Sequence, residues 1–377
     1  MRKSTIVTLI FGLLAALPLT TPATANAATR VTKGDAGGFL SCAIVSQGRV
    51  KCWGDNSGGG LGNGGGSSQD TGVFVNGLSG VRQISASESP CALLGNRTVK
   101  CWGPGGNGQL GNGHNNEADA PVRVKNLNDV AQVSSGWLHA CAVLLSGRVW
   151  CWGENGQGQL GDSSNNPSNV PVKVVGIKNA VEVDAGDENT TCARLADGSA
   201  KCWGYNNHGQ LGNNSNADSN FPVKVQHLDP IRRIIGGYYE NCAITMTDHV
   251  MCWGDNESGE LGDGTHHDRW TPVQTKHLSG VADMETENQT SCAALRSGAL
   301  KCWGTNSTGQ FGDGSYNPSD TPIKIAGVTN LVAVSSGWYH TCVQTGAGVV
   351  RCTGEGTEGQ LGDASFSSSP TFVKAQV

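Results

Sequence analysis

The hydrophobic positions of this chain occur in short runs separated by Gly, Asn, Asp and Ser. One stretch shows the pattern clearly, with apolar runs at residues 130–133, 141–145 and 149–152. A long polar segment then leads to a fourth run at residues 171–174, which starts with Pro171. Short apolar runs bounded by turn residues predict β-strands, and the proline favours an edge strand. This stretch therefore predicts four short strands.

The same pattern recurs along the chain and is marked by the tripeptide Cys-Trp-Gly. Six copies of the tripeptide begin at Cys52, Cys101, Cys151, Cys202, Cys252 and Cys302, and a seventh, at Cys352, has Thr353 in place of Trp. Successive copies are 49 to 51 residues apart. Four short strands at a period of this size are typical of one β-propeller blade. We therefore predict an all-β fold, a single seven-bladed β-propeller over residues 28–377 with four short strands per blade.

An open solenoid is the alternative to a closed ring of blades. A solenoid needs polar capping repeats at its ends. Neither end of the repeat region resembles a cap, because residues 31–37 and 371–377 both have the composition of strands. We expect the two ends to meet at the seam of a ring. We also expect the small Thr353 to make room for them there.

The pattern of the first 27 residues predicts a secretory signal peptide, which does not belong to the fold. A basic start at Arg2 and Lys3 precedes an apolar run at residues 6–19, and Ala25-Asn26-Ala27 follows as a cleavage site. The alternative is an uncleaved anchor. We predict a signal peptide over residues 1–27, and a secreted, extracellular protein without membrane insertion.

Charge and composition exclude some classes of partner. Asp and Glu exceed Lys and Arg, 31 to 26, and removal of Arg2 and Lys3 with the signal would move the formal net charge from −5 to −7. A nucleic-acid partner requires clustered basic residues, which this sequence lacks. We therefore expect no nucleic-acid partner.

The 14 Cys form seven pairs with nine residues between the members of each pair. Each pair flanks a predicted hairpin turn, so its members lie on neighbouring antiparallel strands at a distance close to that of a disulfide. The alternative, metal binding, is disfavoured because the spacing does not match a usual zinc site. We predict one disulfide in each blade, joining Cys42 to Cys52, Cys91 to Cys101, Cys141 to Cys151, Cys192 to Cys202, Cys242 to Cys252, Cys292 to Cys302 and Cys342 to Cys352.

The repeat resembles that of the regulator of chromosome condensation family. The third copy carries the resemblance most completely, in Gly136, His139, Gly147, Val149, Trp152, Gly153, Asn155, Gly158, Gln159, Leu160 and Gly161. The resemblance implies a seven-bladed propeller. Secreted bacterial members are the nearer comparison, among them a propeller that inhibits β-lactamases by covering the enzyme with one face. This chain differs from that propeller in its many Cys and its long Gly-Gln-Leu-Gly loops.

The segments just before the first Cys of each pair vary in residue type although the surrounding frame repeats. Loops held by a rigid frame are where binding residues concentrate, and aromatic side chains there supply large contact areas. The resemblance implies the same, because aromatic loop residues form the interface of the inhibitory propeller. The alternative is that these aromatics only pack between blades. We predict a binding face that comprises Phe39, Leu40, Glu88, Trp137, Leu138, Glu188, Asn189, Tyr238, Tyr239, Asn288, Gln289, Trp338 and Tyr339.

No motif predicts catalysis, a cofactor or a metal site. His139 and His340 occupy the recurring His position of the repeat, and we expect both to be structural. We predict a non-enzymatic, lectin-like recognition protein whose partner is an extracellular protein or a surface glycan, and which belongs to a secreted hetero-complex. The alternative is an inhibitor of an extracellular or periplasmic enzyme such as a β-lactamase, and a hydrolase is a third class.

Overall fold

A computed structural model describes residues 31–377 of the chain as a closed ring of seven four-stranded antiparallel sheets. The predicted signal peptide lies outside the described residues. Among residues 31–377, no helix has the length and apolar character needed to cross a membrane.

The strands follow one another in sequence order within each blade. Blades 1 and 2 contain β1 (Lys33–Gly37), β2 (Leu40–Ile44), β3 (Val50–Gly54), β4 (Gln69–Phe74), β5 (Val81–Ser85), β6 (Cys91–Leu94), β7 (Val99–Gly103) and β8 (Ala118–Arg123). Blades 3 and 4 contain β9 (Val130–Ser135), β10 (His139–Leu144), β11 (Val149–Gly153), β12 (Ser168–Lys173), β13 (Ala180–Ala185), β14 (Thr190–Leu195), β15 (Ala200–Gly204) and β16 (Ser219–Lys224). Blades 5 to 7 contain β17 (Ile231–Gly236), β18 (Glu240–Thr245), β19 (Val250–Gly254), β20 (Arg269–Gln274), β21 (Val281–Glu287), β22 (Thr290–Leu295), β23 (Leu300–Gly304), β24 (Ser319–Ile325), β25 (Leu331–Ser336), β26 (His340–Thr345), β27 (Val350–Gly354) and β28 (Ser369–Lys374).

The first strand of each blade lies at the centre of the ring and the fourth at its rim. First strands of neighbouring blades contact one another, including β1 with β25, which closes the ring. The propeller prediction is thus confirmed, and the open solenoid is excluded. The predicted edge strand of the third copy is β12, which pairs only with β11 and contains Pro171.

The repeated Trp joins each blade to the one before it. Its ring is buried, and its indole Nε1 donates a hydrogen bond to a carbonyl oxygen in the long loop of the preceding blade. Trp102 donates to Gly60 at 2.9 Å, and at the seam Trp53 donates to Gln360 at 3.0 Å. The hydrophobic clusters therefore lie between blades, as where Val143 and Leu160 pack with Trp203 of the next blade.

In five blades the long Gly-rich loop is ordered by a buried Asn at its start, whereas blades 2 and 7 have Gly105 and Gly356 there. These five residues are Asn56, Asn155, Asn206, Asn256 and Asn306. Asn155 accepts a hydrogen bond from the Leu160 backbone N–H at 2.9 Å and donates to the carbonyls of Ser164 and Asn166. One side chain thus satisfies several backbone groups of a loop that has no regular secondary structure. The loops consequently have fixed positions beside the segments that carry the predicted binding face.

All seven predicted disulfides are present. In each blade the two half-cystines lie directly opposite each other on the second and third strands, as Cys141 and Cys151 do on β10 and β11. Their Cα atoms are 4.0 Å apart in that pair. The spacing of nine residues therefore results from a tight hairpin with its turn midway between them.

The two ends of the described part of the chain, residues 31–377, meet at the seam, but Thr353 lies elsewhere. Gln344 of blade 7 bonds the backbone of Val31 and Gly34, and the carbonyl of Gln376 accepts the Gly72 N–H at 3.0 Å. Thr353 instead faces blade 6, where its hydroxyl donates to the Gly309 carbonyl at 2.9 Å. The expectation that Thr353 makes room at the seam is therefore wrong, because the repeated Trp position always faces the preceding blade.

Candidate recognition face

The predicted binding residues lie on one face of the ring, around the mouth of its central channel. Strand direction alternates within a blade, so connections from first to second strand and from third to fourth strand share this face. The backbone confirms the arrangement: the Asp55 N–H bonds the Phe39 carbonyl at 3.0 Å, and the Glu154 N–H bonds the Leu138 carbonyl at 2.9 Å. We call this surface the aromatic face and the other the opposite face.

Three aromatic side chains from blades far apart in sequence meet at the channel mouth. The ring of Trp338 in blade 7 lies edge-on to Trp137 in blade 3, with centroids 5.4 Å apart, and to Phe39 in blade 1, at 5.1 Å. Tyr339 stacks on Phe39 at 5.9 Å. Blades 3 and 7 are on different sides of the ring, so the contact between Trp137 and Trp338 extends across the mouth.

Trp338 is held in place by polar contacts from several blades. Its indole Nε1 donates to the Asp187 carboxylate of blade 4 at 2.6 Å. Its backbone carbonyl accepts from the Asn288 amide of blade 6 at 2.9 Å, and its N–H bonds the Gly38 carbonyl of blade 1 at 3.1 Å. These aromatics are half-buried. They therefore pack on one another and still expose part of each ring to solvent.

A second aromatic group covers blades 4 and 5 on the same face. Tyr239 contacts Tyr238 at 4.6 Å and Tyr205 at 5.9 Å, and the imidazole of His208 stacks on it at 5.0 Å. Burial, together with a hydrogen bond to Glu188, raises the pKa of Tyr238 above its ordinary value. Tyr238 therefore stays protonated, which lets its hydroxyl donate to the carboxylate.

Other predicted face residues mainly hold the frame. Leu40 is the first residue of β2, is only 3% exposed and packs in the core, so it is not available to a partner. The prediction for Leu40 was wrong because the chain has already entered the strand there. Asn189 accepts from the Gln159 amide at 2.7 Å, and Gln289 accepts from the Ser258 hydroxyl at 3.1 Å. Leu138 is half-buried beside Trp137 in the chain.

The carboxyl groups at the channel mouth are crowded. Burial, and then the neighbouring Asp55 and Asp187, raise the pKa of Glu88 to about 7. Burial also raises the pKa of Asp187, which is 8% exposed. Burial, and then the neighbouring Asp187 and Glu240 carboxyls, hold the pKa of Glu287 well above its ordinary value. Asp187 is the member of this group that bonds the Trp338 indole.

Below the aromatics the channel contains a cavity of about 440 Å³ lined by the inner strands. Arg233 lies in it and forms ion pairs with Asp283 and Glu285. Burial raises the pKa values of Asp184 and Glu285 to about 7. The channel is therefore polar and predominantly acidic, as its mouth is.

The two recurring His side chains are structural, as expected. Nε2 of His139 lies 2.8 Å from the Thr191 hydroxyl of blade 4, and Nε2 of His340 lies 2.9 Å from the Ser41 hydroxyl across the seam. Burial lowers their pKa values to about 3 and about 4, so both rings are neutral.

Within residues 31–377, His208, Asp255 and Asp268 bring donor atoms close enough together to hold a metal ion. The His208 Nδ1 already lies 3.1 Å from Asp268 and 3.8 Å from Asp255. These contacts account for the group without an ion.

Several exposed aromatics of the aromatic face were missed at the sequence level. Tyr316 and Phe366 are 57% and 51% exposed in the long loops of blades 6 and 7, and Trp270 is 43% exposed at the start of β20. The long loops recur in every blade and were therefore treated as structural. Positions at which one copy carries an aromatic residue were overlooked for that reason. An apolar residue within an otherwise polar loop was the signal that marked them.

Comparison with known proteins agrees with this architecture. The family model described as the RCC1-like domain matches residues 11–326, and the model for the regulator of chromosome condensation (RCC1) repeat matches residues 331–360. The chain belongs to the RCC1-like domain family. None of the curated proteins searched matches this RCC1-like propeller.

Solved structures share the fold at low sequence identity. Prp20p from Saccharomyces cerevisiae, whose structure was described with its binding to Gsp1p and histones, has a TM-score of 0.77 at 18% identity, covering 92% of this chain and 87% of its own. Human WBSCR16 has a TM-score of 0.76 at 18% identity, covering 87% and 95%. The CRINKLY WD40 ectodomain of the Arabidopsis thaliana receptor kinase ACR4 has a TM-score of 0.53 at 18% identity, covering 90% and 95%.

Proposed function

We propose that this RCC1-like propeller is a secreted recognition protein that binds an extracellular target through its aromatic face. The observation that supports the proposal most directly is the aromatic group at the channel mouth. Three rings from three blades converge there, are fixed by hydrogen bonds, and remain partly exposed. Rigid aromatic side chains provide contact area without a large loss of side-chain entropy on binding.

An extracellular setting is supported by the disulfides. Seven intrachain disulfides are typical of proteins from oxidising environments. The ACR4 relative is a receptor ectodomain, and Prp20p binds proteins. We therefore favour a protein target over a surface glycan, with the chain acting within a secreted complex. Inhibition of an extracellular enzyme is one form that such binding could take.

A double substitution tests this function. Trp137→Ala with Trp338→Ala removes the central rings, and we expect at least tenfold weaker binding to the partner recovered from culture supernatant. The matched control is Leu145→Ala with Met246→Ala, two exposed apolar residues on connections of the opposite face, which should bind as the wild type does. The measurement is the dissociation constant by surface binding, with melting temperature recorded to confirm folding.

Two results would contradict the proposal. One is unchanged affinity of the Trp double variant. The other is equal loss in the control pair, which would place the binding surface on the opposite face. Competition by free sugars would identify a glycan target, whereas loss of turnover of an added β-lactamase would identify the inhibitor function. Tyr239→Ala, outside the central contact, supplies a second variant if the double substitution does not fold.

A further inference from the structure

The charged residues are divided unequally between the two faces of the ring. The fourteen connections of the aromatic face contain 17 Asp and Glu and no Lys or Arg. They comprise residues 38–39, 55–68, 86–90, 104–117, 136–138, 154–167, 186–189, 205–218, 237–239, 255–268, 288–289, 305–318, 337–339 and 355–368. The net charge of the whole chain conceals this separation.

The connections of the opposite face show the reverse balance. They carry seven Lys and Arg and four Asp, namely Arg49, Arg97, Lys125, Arg148, Lys178, Lys276, Arg296, Asp129, Asp197, Asp229 and Asp248. The nearby strand ends add more basic residues. Lys201 lies directly opposite Lys224, and Lys301 directly opposite Lys324. Like charges in facing positions destabilise a sheet, so local stability does not explain the pattern.

Not every acid of the aromatic face is ionised. Glu260 is buried, and burial with nearby Glu240 and Asp255 raises its pKa to about 9. Arg269, at the start of β20, pairs with Asp263 of this face. Exposed or half-exposed carboxyls such as Glu154, Glu257 and Glu355 have no basic residue in the connections of this face to oppose them. Solubility requires net charge but not its concentration on one face.

The acidic and the aromatic side chains lie next to one another at the mouth of the channel. Glu88 lies against the loop that carries Phe39, since a Cβ on Gly38 would be 2.9 Å from its Oε1. Asp187 bonds Trp338, and Glu188 lies by Tyr238. Aromatic rings attract cations through their faces, and carboxylates attract them at longer range. The two features together favour a cationic ligand over a neutral one.

From this juxtaposition we infer that the target of the aromatic face is a basic polypeptide, whose Lys or Arg side chains enter the acidic aromatic mouth of the channel. The inference rests on the proposed function and specifies its partner. A neutral glycan would leave the charge separation without a role, and a nucleic acid would be repelled. The ring of acidic connections suits several cationic side chains on one protein surface or segment, and not a single small cation.

The experiment uses short synthetic peptides as probes. One contains several Lys residues separated by Ser and Gly, and a second has Gln at every Lys position. We expect the wild-type protein to bind the Lys peptide at about 50 mM salt, at least tenfold more tightly than the Gln peptide, and to lose affinity steeply as salt rises. The dissociation constants are measured by calorimetry or fluorescence anisotropy.

Matched charge variants locate the site. Glu88→Gln, Glu188→Gln and Glu257→Gln together replace three carboxyl groups of the aromatic face by neutral amides. Asp129→Asn, Asp197→Asn and Asp229→Asn remove three exposed charges from the opposite face. We expect about tenfold weaker binding of the Lys peptide for the first triple variant and less than twofold change for the second.

Failure of this inference is distinguishable from failure of the proposed function. Equal binding of the two peptides, or equal losses in the two triple variants, would overturn the basic partner. The Trp double variant could lose binding to the natural partner while the triple variant of the aromatic face keeps it. In that case recognition by the aromatic face would stand, but its preference for a basic partner would not. Salt-sensitive oligomers abolished by Arg97→Gln with Arg148→Gln would show that a second copy occupies the face, which also overturns the inference.

Discussion

In blade 5, Glu260 takes the place of the Gln of the Gly-Gln-Leu-Gly loop. The corresponding residue is Gly60 in blade 1 and Gln in the other five blades, namely Gln109, Gln159, Gln210, Gln310 and Gln360. Glu260 is fully buried, accepts the Ser258 N–H through Oε2, and has no partner for Oε1. A buried carboxyl without a cation holds its proton, which agrees with its raised pKa of about 9.

Glu260→Gln should stabilise the protein at alkaline pH. Between the ordinary pKa of an unfolded Glu and about 9, the folded state keeps a proton that the unfolded state has released, so stability falls as pH rises through this window. The amide removes that loss. We expect a gain of about 1–3 kcal/mol at pH 8, and little difference at pH 4, by chemical denaturation.

Glu257→Gln is the matched control, because Glu257 is exposed and lies in the same loop, three residues before Glu260. It should change neither the stability nor its pH dependence. Equal stability of wild type and Glu260→Gln at pH 8 would show that the Glu260 carboxyl is solvated in the folded protein.

Blade 7 shows how a strand compensates for the loss of a repeated residue. In the other blades the indole lies against the second Gly of the loop, as Trp203 lies against Gly161, where a Cβ would be 2.6 Å from the indole Nε1. Thr353 is too small to fill this space. The ring of Phe372 on β28 takes the corresponding position against Gly312.

Phe372→Ala should therefore destabilise the protein although Phe372 is on an edge strand. We expect a loss of about 1–3 kcal/mol, since the substitution leaves a cavity between blades 6 and 7. Phe221→Ala on β16, the corresponding strand of blade 4, is the control; Phe221 is 51% exposed and should cost less than about 0.5 kcal/mol. Comparable melting temperatures for the two variants would mean that Phe372 does not replace the Trp.

At the level of the whole molecule, the ring combines blade-to-blade packing with one covalent link inside each blade. The disulfides do not join blades to one another, and the seam is held by noncovalent contacts such as His340 with Ser41. Covalent links therefore stabilise the blades, while burial of Trp and apolar side chains stabilises the ring.

Removal of one disulfide should weaken the fold without opening it. Cys141→Ala with Cys151→Ala eliminates a link between buried half-cystines ten residues apart, and we expect a loss of about 2–3 kcal/mol in unfolding free energy. In the wild type, thiol labelling after mild reduction should stay low until the protein unfolds. An unchanged melting temperature in the double variant would show that the hairpin contacts alone hold the blade.

Local regularities in the sequence determined the fold. The spacing of the Cys, the Trp and the turn glycines reports contacts between neighbouring strands, which are set by hairpin geometry and recur in every copy. The strands, the disulfide pairing and the blade number followed from them. Thr353 was misplaced because a repeat shows which positions correspond but not which neighbouring blade each one faces. Leu40 was misplaced because the second strand of blade 1 already begins there.

Tertiary structure alone decided which residues of the candidate site contact one another. Trp137, Asp187 and Trp338 belong to three different blades, and their contacts extend across the ring. No periodicity connects such residues, because ring closure and not chain proximity brings them together. The same holds for charge: the sequence by itself determined a mildly acidic chain of repeated β-blades, whereas the alternation of strand direction placed the acids on the aromatic face and most of the basic connections on the other.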